Sequence, residues 1–488
     1  DQGLRLAYAF NHEEAARSFT EATRLDPRCA MCWWGIAYAV GPNINMPVSP
    51  EAERTALAAI RRARELATKG HPAPERDYIE ALVRRFGDPA GADRAARDSA
   101  YAASMAEVAR LYPRDDDAQV LYADALLNLR PWNQWTREGM PQPGTLDAVA
   151  ALERVLARTT SHAGACHFYI HAVEASPTPE RAVACAERLA SLMPGAGHLV
   201  HMPAHVYLRV GRYGDAARAN IAAMAADERY FSGHGAHGTV YPMFYAPHNT
   251  HFLWSAYLFS GQSARALDAA RTLERTVSVD AARAVPSLQA FLTTAVLTHA
   301  RFGRWDAVLA EPAPAAGLTY ARGMWHVARG LARAGTGDLA LAGAELDSLR
   351  AVIAATPSDM IIIQNPAAGV LTVGALALES RIAAARGQVD AAVALLRDAI
   401  RREDAFTYDE PPPWYHSTRH LLGTTLLAAG RLAEAEAAFR DDLRAYRENG
   451  WSLAGLEQAL RRQGRTREAD EVAARLERAW READVELK

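Results

Sequence analysis

The sequence predicts an all-α protein built from antiparallel helix pairs, on three observations. Phrases recur at a fixed interval: His167 to His201, His171 to His205 and Gly430 to Gly464 are each 34 residues apart, the length of one tetratricopeptide helix–turn–helix unit. A glycine turn leading into an amphipathic helix returns at Gly211, Gly261, Gly303, Gly387, Gly430 and Gly464. Apolar residues keep helical spacing throughout, and strand alternation is absent. The fold class is therefore a tetratricopeptide-repeat-type solenoid, a curved superhelix of helix pairs with a concave groove.

Taken in order, Phe10 to Phe19 reads as the second helix of a repeat. Its A-x-x-x-F spacing puts a small and an aromatic residue on one face, where helices pack closely. Asp26-Pro27 ends it, because a residue before proline disfavours the α region. Trp33 to Tyr38 opens the next unit, with Gly35 leaving room for a neighbouring helix. The whole chain reads as one solenoid over 1–488, with N-terminal repeats over 1–160, His-rich central repeats over 161–260 and C-terminal repeats over 261–488.

Two places break the register. Gly211 to Gly261 is 50 residues, which leaves an insert near Tyr230–Ala246, rich in Gly, His and aromatics. A long loop inside a compact repeat is usually functional or disordered, and the aromatics favour function. The insert is expected to act as a lid. The second break is Tyr408–His420, where Pro411, Pro412 and Pro413 stop one helix and Trp414 to His420 opens another.

The bulk numbers exclude several classes. The 488 residues are 50% hydrophobic and 23% charged, a folded composition rather than a disordered one. A net charge of −3 steers nothing toward nucleic acid or anionic membrane. Met360–Leu378 contains Gln364, Asn365 and Pro366, so it reads as a buried helix after a turn, with no membrane insertion. The chain opens on polar Asp1-Gln2 with no signal peptide, and reads as a mature or trimmed form. No nucleotide loop, G-x-S-x-G elbow or H-E-x-x-H helix is present.

Cys29-x-x-Cys32 reads as a redox pair, a disulfide, half a metal site, or two small buried residues of a helix. Cys166 and Cys185 flank the turn at Pro177 and are placed to face each other, as a disulfide requires. Two disulfides would point to an oxidising compartment.

Several long phrases also carry a resemblance. They are Cys29–Gly35 (CAMCWWG), His171–Glu174 (HAVE), Pro194–His205 (PGAGHLVHMPAH), Pro247–Leu253 (PHNTHFL) and Tyr408–Tyr415 (YDEPPPWY). In these the chain resembles a family of bacterial tetratricopeptide-repeat proteins, many of them exported. The resemblance covers nearly the whole chain. It implies the solenoid fold and a periplasmic or secreted location, and it implies no reaction.

Chemistry must therefore come from the histidines. Ten of the 16 lie between Ser161 and His251. With each turn residue as zero, His167, His201, His251 and His420 all fall 10 before it, with Pro177 filling one turn slot. His198 and His248 fall 13 before, and His171 and His205 fall six before. Residues at i, i+3 and i+4 share a helix face. So His167/His171, His198/His201/His205, His248/His251 and His416/His420 each present imidazoles on one side. Adjacent helix axes lie about 8–10 Å apart, close enough for paired rings to converge on an ion. His162, His234 and His237 fall outside the register. Isolated His12, His71, His299 and His326 read as surface or satisfied core.

Imidazole-rich, carboxylate-poor donor sets suit copper, with zinc as the alternative. Glu174, one turn after His171, is the candidate catalytic residue: a base, a ligand, or an orienter of a ring. Pro203 inside a helix costs about 3 kcal/mol, a cost more easily tolerated where it re-aims a ligand; otherwise the helix simply starts late. The function expected is a copper-dependent oxidoreductase acting on a small molecule or peptide in the groove. The alternatives are a binding scaffold with a structural zinc or no metal, and metal storage or delivery.

Overall fold

The computed structural model describes residues 1–87, 93–234 and 241–487. It is an all-α, tetratricopeptide-type array of antiparallel helix pairs. The chain forms two compact units, Asp1–Val206 with Ala225–His234, and Tyr207–Met224 with Gly235–Lys488. The division runs through the His-rich segment.

In the first unit, Gln2–Tyr8 pairs with His12–Leu25 and Ala30–Ala39 with Pro50–Leu66. Ala73–Phe86 pairs with Arg94–Leu111 and Asp116–Leu127 with Thr145–Leu156. The starts are written in the sequence. Ser49, Asp93 and Asp115 each accept a backbone N–H three residues on, satisfying donors that the helix itself leaves open. Pro50 occupies the first helical position, where its missing N–H costs nothing. Gly35 is required by packing: a Cβ there would lie 2.2 Å from the Phe19 ring.

The second unit repeats the plan from Ala246–Phe259 with Ser263–Thr276 to Gly450–Arg462 with Thr466–Ala479. All six turn glycines have left-handed φ, from +65° at Gly303 to +79° at Gly211, a region that only glycine enters freely. Phe439 is fully buried and fills the space over Gly423 and Gly455. The apolar stretch near Met360 becomes the helix Ala367–Ala385. It is long and apolar enough to cross a membrane, but 61% of its apolar window is buried inside the unit, as for a core helix.

Four local expectations are corrected. A two-residue strand pair, Ile361–Ile362 with Asn365–Pro366, precedes that helix, although strands were not expected. The insert is helical where it is described: Tyr213–His234 runs on for 22 residues and Tyr241–Tyr245 forms a π-helical turn. Extra helical turns thus absorb much of the added length. Residues 235–240, including His237, and the side chain of His234 lie outside the described residues. The helix after the proline run begins at Thr418 rather than Trp414. Three residues without N–H groups precede it, and residues 413–416 form bends rather than helical turns. Lastly, Cys166 and Cys185 are buried free thiols rather than a disulfide, whereas Cys29 and Cys32 are bonded.

Candidate metal centre

The helix Ala163–Val173 is buried along its entire length. It carries His167 and His171 one turn apart. Tyr8 packs over Gly164, where a Cβ would come within 2.7 Å of its ring. This brings the Tyr8 carbonyl oxygen to 2.6 Å from His167 Nδ1. The Nδ1–H therefore donates to Tyr8, and His167 Nε2 is left with its lone pair.

The next His-bearing stretch is split. Gly197–His201 ends at Met202, and Pro203–Arg209 begins immediately after it. Met202 has helical φ of −51° and ψ of −33°, so the path stays helical while Pro203 omits one hydrogen bond. Pro203 sits at the start of a segment, and its break separates His201 from His205 within one face.

Five imidazoles and one carboxylate meet here. His167, His171, His198, His201, His205 and Glu174 are each no more than 2% exposed. His167 Nε2 lies 3.2 Å from His198 Nε2, and His201 Nε2 lies 3.0 Å from His205 Nε2. Glu174 spans two rings: Oε1 accepts from His171 Nδ1 at 2.9 Å, and Oε2 lies 2.8 Å from His205 Nδ1. That leaves His171 Nε2 buried with no hydrogen-bond partner. One ligand nitrogen from each of His167, His171 and His198 falls within 4.8 Å of the other two.

Electrostatics keep the donors ready. Burial lowers the His167 and His198 pKa values well below the ordinary imidazole value, and neighbouring imidazoles lower them further. Both rings are therefore neutral near pH 7. Burial alone would raise the Glu174 carboxyl, but the facing His205 and His171 rings outweigh it and hold the carboxyl below its usual range. Glu174 is thus an ionised orienter of two rings, fixing Nδ1 as the protonated nitrogen and presenting Nε2.

Two aromatics that no periodicity marks complete the wall. Phe10 lies 4.5 Å from the His167 ring centroid and stacks at 5.4 Å on His198. Trp132 meets His171 edge-on at 5.4 Å. Both hold left-handed backbones, φ 54° at Phe10 and 61° at Trp132. Bulky residues avoid that region, and strain of this kind gathers at functional sites.

The remaining candidates lie in the second unit. His248 is half-buried on Ala246–Phe259, its ring 4.9 Å from Phe252. His251 stacks on Trp254 at 5.2 Å. His416 Nε2 and His420 Nδ1 lie 3.1 Å apart. Burial lowers both of their pKa values, and the Arg301 guanidinium lowers them further; its positive charge also opposes a cation on that pair. Outside the register, His162 caps its helix by accepting from Ala165 N at 3.1 Å. His12 is satisfied at both nitrogens, by the Ala39 carbonyl and Asn43.

No protein-family model matches the chain, and no curated protein does. Solved structures match along most of the chain at low similarity. The human IFIT1 dimer with m7Gppp-AAAA is 13% identical over 98% of this chain and 90% of that one, with a TM-score of 0.37. Yeast Tom70 is 10% identical over 97% and 90%, with a TM-score of 0.31. The APC/C hetero-tetramer Cut9–Hcn1 is 11% identical over 88% and 94%, with a TM-score of 0.28. These likenesses carry no information about ligand or activity.

Proposed function

We propose that this chain is a metal-binding tetratricopeptide-type protein whose buried imidazole cluster holds copper, and that it acts as a copper-dependent oxidoreductase on a small molecule or peptide. One observation carries most of the weight: His167 Nε2 faces His198 Nε2 at 3.2 Å in a buried site. His167 already donates through Nδ1, so a lone pair points at its neighbour. Two ligands of one tetrahedral ion with bonds of about 2.0 Å stand about 3.3 Å apart, which matches.

The proposed donors are His167, His171, His198, His201 and His205, with Glu174 as a positioning residue. Nitrogen donors bind copper(II) more tightly than zinc, which takes the same residues as the alternative metal. Copper held here would supply dioxygen or substrate activation. The Cys29–Cys32 disulfide fits an oxidising compartment, so a periplasmic or secreted location is part of the proposal.

The test is elemental analysis of untagged protein after loading with copper or zinc, followed by oxygen uptake with phenols and peptides. Stoichiometric copper that falls in His167→Ala/His198→Ala, together with uptake by the wild type, is expected. Copper without uptake favours storage or delivery, and absence of bound metal rejects the reading.

A further inference from the structure

The motif Tyr408–Tyr415 lines a cavity within the second unit. The cavity is about 30 Å³, walled by Trp254, Tyr320, Tyr415, His251, Asp409 and Pro412 among others. A single water needs roughly 10–15 Å³, so this space admits a head group and not a large molecule.

Three side chains on that wall keep an unused polar atom. Asp409 Oδ2, His251 Nδ1 and Tyr415 Oη are buried with no hydrogen-bond partner. Asp409 is 8% exposed and His251 6%. Such groups are costly to leave unsatisfied, and more so when charged. The carboxyl is held in place by the Gln364 backbone and the Asn365 side chain. Among the described residues, no Arg or Lys forms an ion pair with it. Burial pushes this carboxyl well up, and the neighbouring Glu410 pushes it further in the same direction. A cation arriving in the cavity would remove that penalty. The rings of Trp254, Tyr320 and Tyr415 line the cavity, and aromatic rings attract an ammonium more than a neutral group. Ile363, a β-branched residue held at φ 56°, also lines the wall.

We propose that this cavity is a binding site for a primary ammonium head group, held by Asp409 among the Trp254, Tyr320 and Tyr415 rings. The ammonium donates to Asp409 Oδ2 and to Tyr415 Oη. His251, a lining residue whose Nδ1 has no partner, accepts the third N–H hydrogen bond. The site shares no residue with the imidazole donors proposed for copper, so either reading stands if the other fails.

Calorimetric titration of the full chain with n-butylammonium, with n-butanol as the neutral control, tests it. Saturable binding of the amine at about 1 mM, at least tenfold tighter than the alcohol, is expected. Asp409→Asn should weaken amine binding at least tenfold and leave the alcohol unchanged, with helical circular dichroism confirming the fold. If that variant does not fold, the comparison of amine with alcohol on the wild type decides alone. Glycylglycine amide separates the sources: tighter binding than butylammonium assigns the site to a peptide amino terminus, and weaker binding to a free amine. Equal binding of alcohol and amine, amine binding that a folded Asp409→Asn retains, or no saturable binding, as for a cavity holding only water, overturns the proposal.

Discussion

His167 and His198 face each other Nε2 to Nε2 at 3.2 Å, and His167 is fixed in that tautomer by the Tyr8 carbonyl on its other nitrogen. The contact joins two helices that are consecutive repeats in sequence. It makes the tautomer of a ligand depend on Tyr8, the last residue of the first helix. Metal binding is therefore expected to need the N-terminal helix Gln2–Tyr8, although no histidine lies on it.

Glu174 sets the other half of the cluster. Glu174→Gln keeps the size of the side chain but can accept through one oxygen only, so His171 and His205 cannot both be held. Metal affinity is expected to fall about 10–100-fold, as for other carboxylates that orient ligand imidazoles. Competition titration against a chelator of known affinity measures it. Unchanged affinity would show that the carboxylate is a bystander.

The repeat core predicts a steric result. A Cβ on Gly455 would lie 2.2 Å from the Phe439 ring, which is fully buried and has no room to retreat. Gly455→Ala should destabilise the C-terminal repeats by about 1–3 kcal/mol. Phe439→Ala should cost about 3–5 kcal/mol through the cavity it leaves. Hydrogen exchange in Leu432–Ala445 and Gly450–Arg462 reads both, and unchanged protection in either variant contradicts the packing described.

Asp124 predicts a pH dependence. Burial raises its carboxyl to about 6, against the opposing pull of Arg85 and of hydrogen bonds from Tyr38 and Asn128. In the unfolded chain it titrates at about 3.9. The folded state thus holds the proton more tightly, and this group's contribution to stability falls as pH rises from about 4 to 6 and is level above that. The size is about 3 kcal/mol at most. Asp124→Asn should remove that slope from the wild-type curve of stability against pH. A variant curve parallel to the wild type would refute the assignment.

The helical plan and its register were legible because they rest on local rules. Gly211 and Gly464 adopt the left-handed turn their positions call for, and Gly35 takes the ring of Phe19. Repeat equivalence was less informative about which rings touch. His171 and His205 are equivalent and do share Glu174, but the ring facing His167 Nε2 at 3.2 Å is that of His198, which stands at a different repeat position. Register fixes the face of a helix; the axial offset between neighbouring helices fixes the partner. Phe10 and Trp132 were beyond reach for a different reason. Each stands at a single strained position between helices, where neither periodicity nor residue type signals a left-handed backbone.

The central claim is that a metal is held by imidazole nitrogens from His167, His171 and His198 and their neighbours. X-ray absorption fine structure at the copper edge of the loaded, untagged protein addresses it directly. The account predicts nitrogen scatterers at about 2.0 Å with the outer-shell pattern of several imidazoles, and loss of that pattern in His167→Ala/His198→Ala. A sulfur shell near about 2.3 Å, pointing to Cys166 and Cys185 instead, or an imidazole signal that survives the double substitution, would contradict it.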